Sequence, residues 1–116
     1  MTEIEKLYKN AGIEGEWRDY RVKNGKIYEG RNPKNRNIRL CPPKFTAEKQ
    51  LELIKFLFQK SVYYDVDVKG NYWFHITDDC YTYHYSKFET ALANIINEMW
   101  QDLTAEEQQQ IKEILQ

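Results

Sequence analysis

The sequence predicts an α+β domain: a three-stranded antiparallel meander over about residues 62–85, packed with amphipathic helices over about 2–11, 46–60, 87–102 and 105–115. Three observations predict it. Apolar and polar residues alternate at period two from Val62 through Tyr85. Four other stretches place apolar residues at helical spacing. A hydroxyl residue with Glu three positions on marks helix starts at Thr2/Glu5, Ser86/Glu89 and Thr104/Glu107. A length of 116 residues fits one domain, 1–116.

In chain order, Thr2 and Glu5 are spaced as a capping box, and Ile4, Leu7, Tyr8 and Ala11 follow as a short apolar face. Gly12 suits a left-handed stop. A helix this short is not stable alone, so it must dock on a core. Residues 17–29 carry Asn24-Gly25, the dipeptide favoured in type I′ turns, and predict a small hairpin. Tyr20, Val22 and Ile27 would share one face, with Arg21, Lys23 and Lys26 outside. Gly30 to Asn37 has no apolar residue and is expected to be an exposed loop. Ile38 to Leu40 is a candidate edge strand, ended by Pro42 and Pro43, which lack a backbone donor.

Thr46 is the expected N-cap of the second helix, with Phe45 as the staple residue before it. Leu51, Ile54, Leu57 and Phe58 form its apolar face, and Leu53 and Phe56 widen that face beyond half its girth. In the meander, a three-residue loop at Lys69-Gly70-Asn71 sets Val68 opposite Tyr72, Val66 opposite Phe74 and Tyr64 opposite Ile76. A two-residue loop at Asp78-Asp79 sets Ile76 opposite Tyr81, Phe74 opposite Tyr83 and Tyr72 opposite Tyr85. One face is then Val, Tyr, Phe and Ile throughout. Phe88, Ala91, Leu92, Ile95, Ile96, Met99 and Leu103, flanked by Trp100, form the helix stripe expected to cover it. Fully burying each large side chain there contributes about 1.5–3 kcal/mol. Ile111, Ile114 and Leu115 mark a last helix.

The net charge of −1 hides an uneven distribution. Residues 18–44 carry nine Lys or Arg against Asp19 and Glu29, a net of +7 in a loop-rich segment. The flanking parts are acidic, at −2 for residues 1–17 and −6 for 45–116. No apolar run approaches the ~20 residues that span a bilayer, and Met1-Thr2-Glu3 does not open a signal peptide. A cytoplasmic protein is expected, in its own cell or in a host cell. Cys41 and Cys80 belong to no CxxC pair and are read as reduced thiols.

The basic segment is the first candidate site. Arg18, Arg21, Lys23, Lys26, Arg31, Lys34, Arg36 and Arg39 are interleaved with Trp17, Tyr20 and Tyr28. Cations with stackable rings suit phosphates and unpaired bases, and equally an acidic groove on a protein. The polar face of the meander is the second. It gathers Asp65 with His75 and Thr82 in one row and Asp67 with Trp73 and His84 in the next. Two imidazoles and two carboxylates allow metal ligation or acid–base chemistry, although solvated faces of antiparallel sheets alternate in the same way. Asp78-Asp79 is read as a turn. Gly-rich phosphate loops, nucleophile elbows, triad spacings and HExxH are all missing, so neither an enzyme nor a cofactor is expected.

Phe45-Thr46-Ala47-Glu48-Lys49-Gln50-Leu51-Glu52-Leu53-Ile54-Lys55-Phe56-Leu57, with Phe88-Glu89-Thr90-Ala91-Leu92-Ala93 and Met99-Trp100-Gln101-Asp102-Leu103, resembles small accessory proteins encoded by phages and prophages of low-GC Gram-positive bacteria. The layout over residues 45–103 is similar to their α-β-α sandwich group. The resemblance implies a phage–host setting in which such proteins bind and inhibit host machines, CRISPR effectors among them, and it implies no catalytic residues. The expectation is a non-enzymatic binding protein, an anti-CRISPR-like inhibitor acting on a host protein or ribonucleoprotein. A nucleic-acid-binding module using residues 18–44 is one alternative. A metal-dependent or acid–base enzyme on the polar sheet face is another.

Overall fold

Helix starts in this chain are set mostly by hydroxyls that accept otherwise unbonded amides. The computed structural model describes residues 2–13, 15–16, 20–24, 26–29, 45–76 and 87–116. The described residues form α1 (Glu3–Ala11), β1 (Gly15–Glu16), β2 (Tyr20–Lys23), β3 (Lys26–Glu29), α2 (Ala47–Gln59), β4 (Val62–Val66), β5 (Tyr72–Ile76), α3 (Phe88–Met99) and α4 (Ala105–Leu115). The class is α+β, as expected. Thr2 accepts from the Glu5 amide at 3.1 Å and Thr46 from the Lys49 amide at 3.3 Å. At α4 both arms of the capping box are present, between Thr104 and Glu107. Gly12 ends α1 at φ +69°. Its amide bonds to Lys9 O and that of Ile13 to Tyr8 O, which is the Schellman pattern.

α3 departs from its expected start and end. It begins at Phe88, with Lys87 as N-cap and no side-chain cap bond, rather than from a Ser86 capping box; Ser86 lies outside the described residues. It stops at Met99, and Trp100–Asp102 continue as a 3₁₀ turn. Packing explains why a cap is dispensable. Seven consecutive residues, Ala91 to Asn97, are buried, so α3 is covered all round. α1, α2 and β5 all lie against it. The core they share includes Leu7, Tyr8, Leu53, Leu57, Phe74, Leu92, Ile96, Ile111 and Leu115.

α2 buries a narrower face than predicted. Leu53, Phe56 and Leu57 are buried, Ile54 is half-buried, and Leu51 and Phe58 are exposed. Residues 53, 56 and 57 form one i, i+3, i+4 stripe, so the direction of the partner helix selects Leu53 over Leu51. α2 and α4 run antiparallel and are tied at both ends. Lys49 donates to Leu115 O at 2.9 Å, and Lys60 pairs with Glu107. The hydrogen bonds from Lys60 and from the Thr104 backbone hold the Glu107 carboxyl below its usual range. Phe45 meets Tyr8 edge-on at 6.4 Å, and its carbonyl accepts from Gln50 Nε2. The staple residue thus joins α1 to the start of α2 instead of closing on its own helix.

β4 and β5 pair antiparallel, but two residues out of the predicted register. Val66 faces Tyr72, Tyr64 faces Phe74 and Val62 faces Ile76. The loop is three residues long, as predicted, but one position earlier, at 68–70. Asp67 causes the shift: its Oδ1 accepts the amides of Lys69 and Asn71, its carbonyl accepts that of Gly70, and Gly70 takes φ +82°. Those bonds close a type I turn with glycine in the left-handed position. Val68 therefore sits at the turn and is fully exposed, not opposite Tyr72. The expected all-core face is also only partly buried. Val62 and Phe74 are buried, while Tyr64 and Val66 are exposed. Rings of Tyr64, Tyr72 and Phe74 converge on Phe88 at 5.1–5.9 Å, which anchors this sheet to the start of α3. The predicted third strand at Cys80–Tyr85 and the Asp78-Asp79 turn lie outside the described residues.

Candidate functional site

The basic hairpin forms as Asn24-Gly25 dictates. Lys23 pairs directly with Lys26 across the turn, then Val22 with Ile27, Arg21 with Tyr28 and Tyr20 with Glu29. Asn24 takes φ +51°, the left-handed value a type I′ turn requires. β1, which was not predicted, adds a third strand through Gly15–Val22 and Glu16–Arg21 pairs. Directly paired positions share a face. Positions 21, 23, 26 and 28 therefore lie on one face, with 20, 22, 27 and 29 on the other. This is the division expected from the alternation. Lys23 and Asn24 are exposed. Trp17, Arg18, Arg31, Lys34, Arg36 and Arg39 lie outside the described residues, as do Cys41, Cys80, Thr82 and His84.

The second surface is the face of β4–β5 turned away from Phe88. Here the corrected register matters. Tyr63 is opposite His75 and Asp65 is opposite Trp73. His75 still reaches Asp65, but diagonally: its Nε2 lies 3.0 Å from Asp65 Oδ2. The His75 ring lies 6.2 Å from that of Tyr63 and 5.3 Å from that of Trp73. Phe58, from the end of α2, packs beside Tyr63 at 5.5 Å. α2 therefore touches the rim of this face and leaves the middle open: the side chains of His75 and Asp65 are 28% and 57% exposed. Asp67, grouped here by the sequence, instead builds the turn. Tyr63 was missed as a site residue, although its parity with Asp65 along β4 marks it as a neighbour on that face.

Among the described residues there is no group of three His, Cys, Asp or Glu that could hold a metal ion. No helix among them is long and apolar enough to cross a membrane. The chain matches no protein-family model, no curated protein and no solved structure.

Proposed function

We propose that this chain is a non-enzymatic binding protein of phage origin, an anti-defence inhibitor of the anti-CRISPR kind, whose basic hairpin docks on a host nuclease or ribonucleoprotein in the host cytoplasm. One observation supports this above the rest. Lys23 stands directly opposite Lys26, with Arg21 on the same face two positions along β2. Like charges directly opposite one another destabilise a sheet. Folding gains nothing from that pair, whereas an anionic partner does.

Lys26→Glu tests it without damaging the hairpin. The substitution turns a repulsive cross-strand pair into an attractive one, expected to stabilise the protein by about 0.2–1 kcal/mol. Combined with Arg21→Gln, which gives up the attraction of Arg21 to Glu16 directly opposite, it is expected to abolish capture of the partner from host lysate while the melting temperature holds, the loss of about 0.2–1 kcal/mol offsetting the gain. Retained capture by the folded double variant refutes the role of the hairpin. Binding of protein-free oligonucleotide separates the alternative, a nucleic-acid-binding module. That module binds the bare oligonucleotide, and its binding weakens steeply with salt.

A further inference from the structure

The open face of β4–β5 sets a carboxylate among three rings. Tyr63 and Asp65 on β4 face His75 and Trp73 on β5, so the four make a square two residues on a side. His75 crosses the diagonal to Asp65, its Nε2 lying 3.0 Å from Oδ2. Among the described residues no donor meets the second oxygen, Oδ1. The Asp65 side chain is 57% exposed, Tyr63 is exposed and Trp73 is half-exposed. Burial of apolar surface does not account for this arrangement.

The chemistry selects its ligand by charge. Indole and phenol faces attract a cation. An exposed carboxylate with an unused oxygen attracts one as well, and offers it a hydrogen bond. The same carboxylate repels phosphate, which disfavours a nucleotide stacking on these rings. A guanidinium meets all the conditions together. It is planar, so it stacks on a ring, and its N–H groups lie in that plane, so they reach a carboxylate at the ring's edge. An ammonium has the charge without the plane. We infer that Tyr63, Asp65, Trp73 and His75 form a receptor for the arginine side chain of a partner polypeptide. This surface is separate from the hairpin and stands whether or not the hairpin docks on anything.

The probe is a short blocked peptide, acetyl-Arg-Gly-Arg-amide, titrated into the ¹⁵N-labelled full chain. Controls carry citrulline, which keeps the shape and loses the charge, or lysine, which keeps the charge and loses the plane. Saturable amide shifts are expected at residues 63–66 and 72–75 with the arginine peptide. Binding is expected to weaken about tenfold or more with citrulline, and likewise for Asp65→Asn, because a charge-assisted hydrogen bond is lost in each case. Trp73→Phe retains a ring and is expected to bind more tightly than Trp73→Leu. Spectra unchanged away from the site show that each variant is folded. Equal binding of citrulline and arginine peptides overturns the proposal, as does equal binding of the lysine peptide. Unaltered binding by the folded Asp65→Asn variant overturns it too. So does a stronger response of the same amides to an oligo(dT) probe. Shifts that appear on concentrating the chain alone overturn it in favour of a second copy as occupant.

Discussion

Asn97 is buried in the middle of the helical core, and it holds α1 in place. Its Nδ2 donates to Glu3 O at 2.8 Å and to Glu3 Oε2 at 2.9 Å, and its Oδ1 accepts from Asn10 Nδ2 at 3.0 Å. Glu3 and Asn10 lie two turns apart at opposite ends of α1, so one side chain spans the helix. Asn97→Ala removes all three bonds. Two are neutral, at about 1 kcal/mol each, and one is charge-assisted, at about 1.5–3 kcal/mol. Glu3 and Asn10 are half-exposed, so water recovers part of the loss. The expected cost is about 2–3 kcal/mol, roughly 8–12 °C in Tm. Urea melts of the single and double variants with Asn10→Ala check the assignment. Asn10→Ala alone removes one bond, so the double variant is expected to be about 1 kcal/mol more stable than additivity predicts. Asn97→Asp replaces both donors by a carboxylate beside that of Glu3, and is expected to be worse than Ala at neutral pH. A loss under about 0.5 kcal/mol for Asn97→Ala, within the range of ordinary surface substitutions, refutes the network's role. Strict additivity with Asn10→Ala refutes it equally.

Two further outcomes follow from α1. A β-carbon at Gly12 would meet no atom within 4 Å, so Gly12→Ala carries only the strain of φ +69°; the expected loss in a urea melt is about 1–2 kcal/mol, and Asn at that position is expected to lose less. Burial pushes the Tyr8 hydroxyl up to about 12, above its ordinary value of 10.0. The folded state therefore keeps a proton that the unfolded state releases. The stability linked to Tyr8 is complete below pH 10 and is lost as pH rises towards 12. Tyr8→Phe is expected to flatten that part of the alkaline stability curve relative to wild type, as measured by urea melts from pH 9 to 12.

The helices were legible wherever a local signal and burial agreed. Thr2, Thr46 and Thr104 all cap as expected, with both arms of the capping box at Thr104 and the hydroxyl arm at Thr2, and Gly12 terminates as its lack of a side chain permits. The sequence misled where local and tertiary preferences diverge. Ser86/Glu89 looks like a start, but α3 begins at Phe88, where the ring meets Tyr64, Tyr72 and Phe74. Leu51 and Phe58 fit the periodicity of α2 as well as Leu53 and Phe56 do. Which stripe is buried depends on where α3, α4 and β4 lie, and one helix's pattern does not contain that. β1 is two residues long and carries no alternation to detect.

The sheet shows what alternation can and cannot specify. Moving a three-residue loop by one position shifts the register by two, and a shift of two returns every side chain to the face it started on. Asp65, Trp73 and His75 were therefore placed on the right face. Their neighbours were wrong, because neighbours change with any shift. The predicted row set Asp65 opposite His75; in the structure they are diagonal, which opens the place opposite His75 to Tyr63 and sets Trp73 opposite Asp65. The difference bears on chemistry. A row of carboxylates and imidazoles suggests a metal or a proton relay, whereas one carboxylate framed by three rings suggests a site for a cation. The residue that decides between them is Asp67. Its side chain bonds to the amides of Lys69 and Asn71 and so withdraws from the face. An aspartate preceding Val-Lys-Gly is a turn-forming signal in its own right. Given that weight, the loop at 68–70 and the square around Asp65 follow from the sequence together.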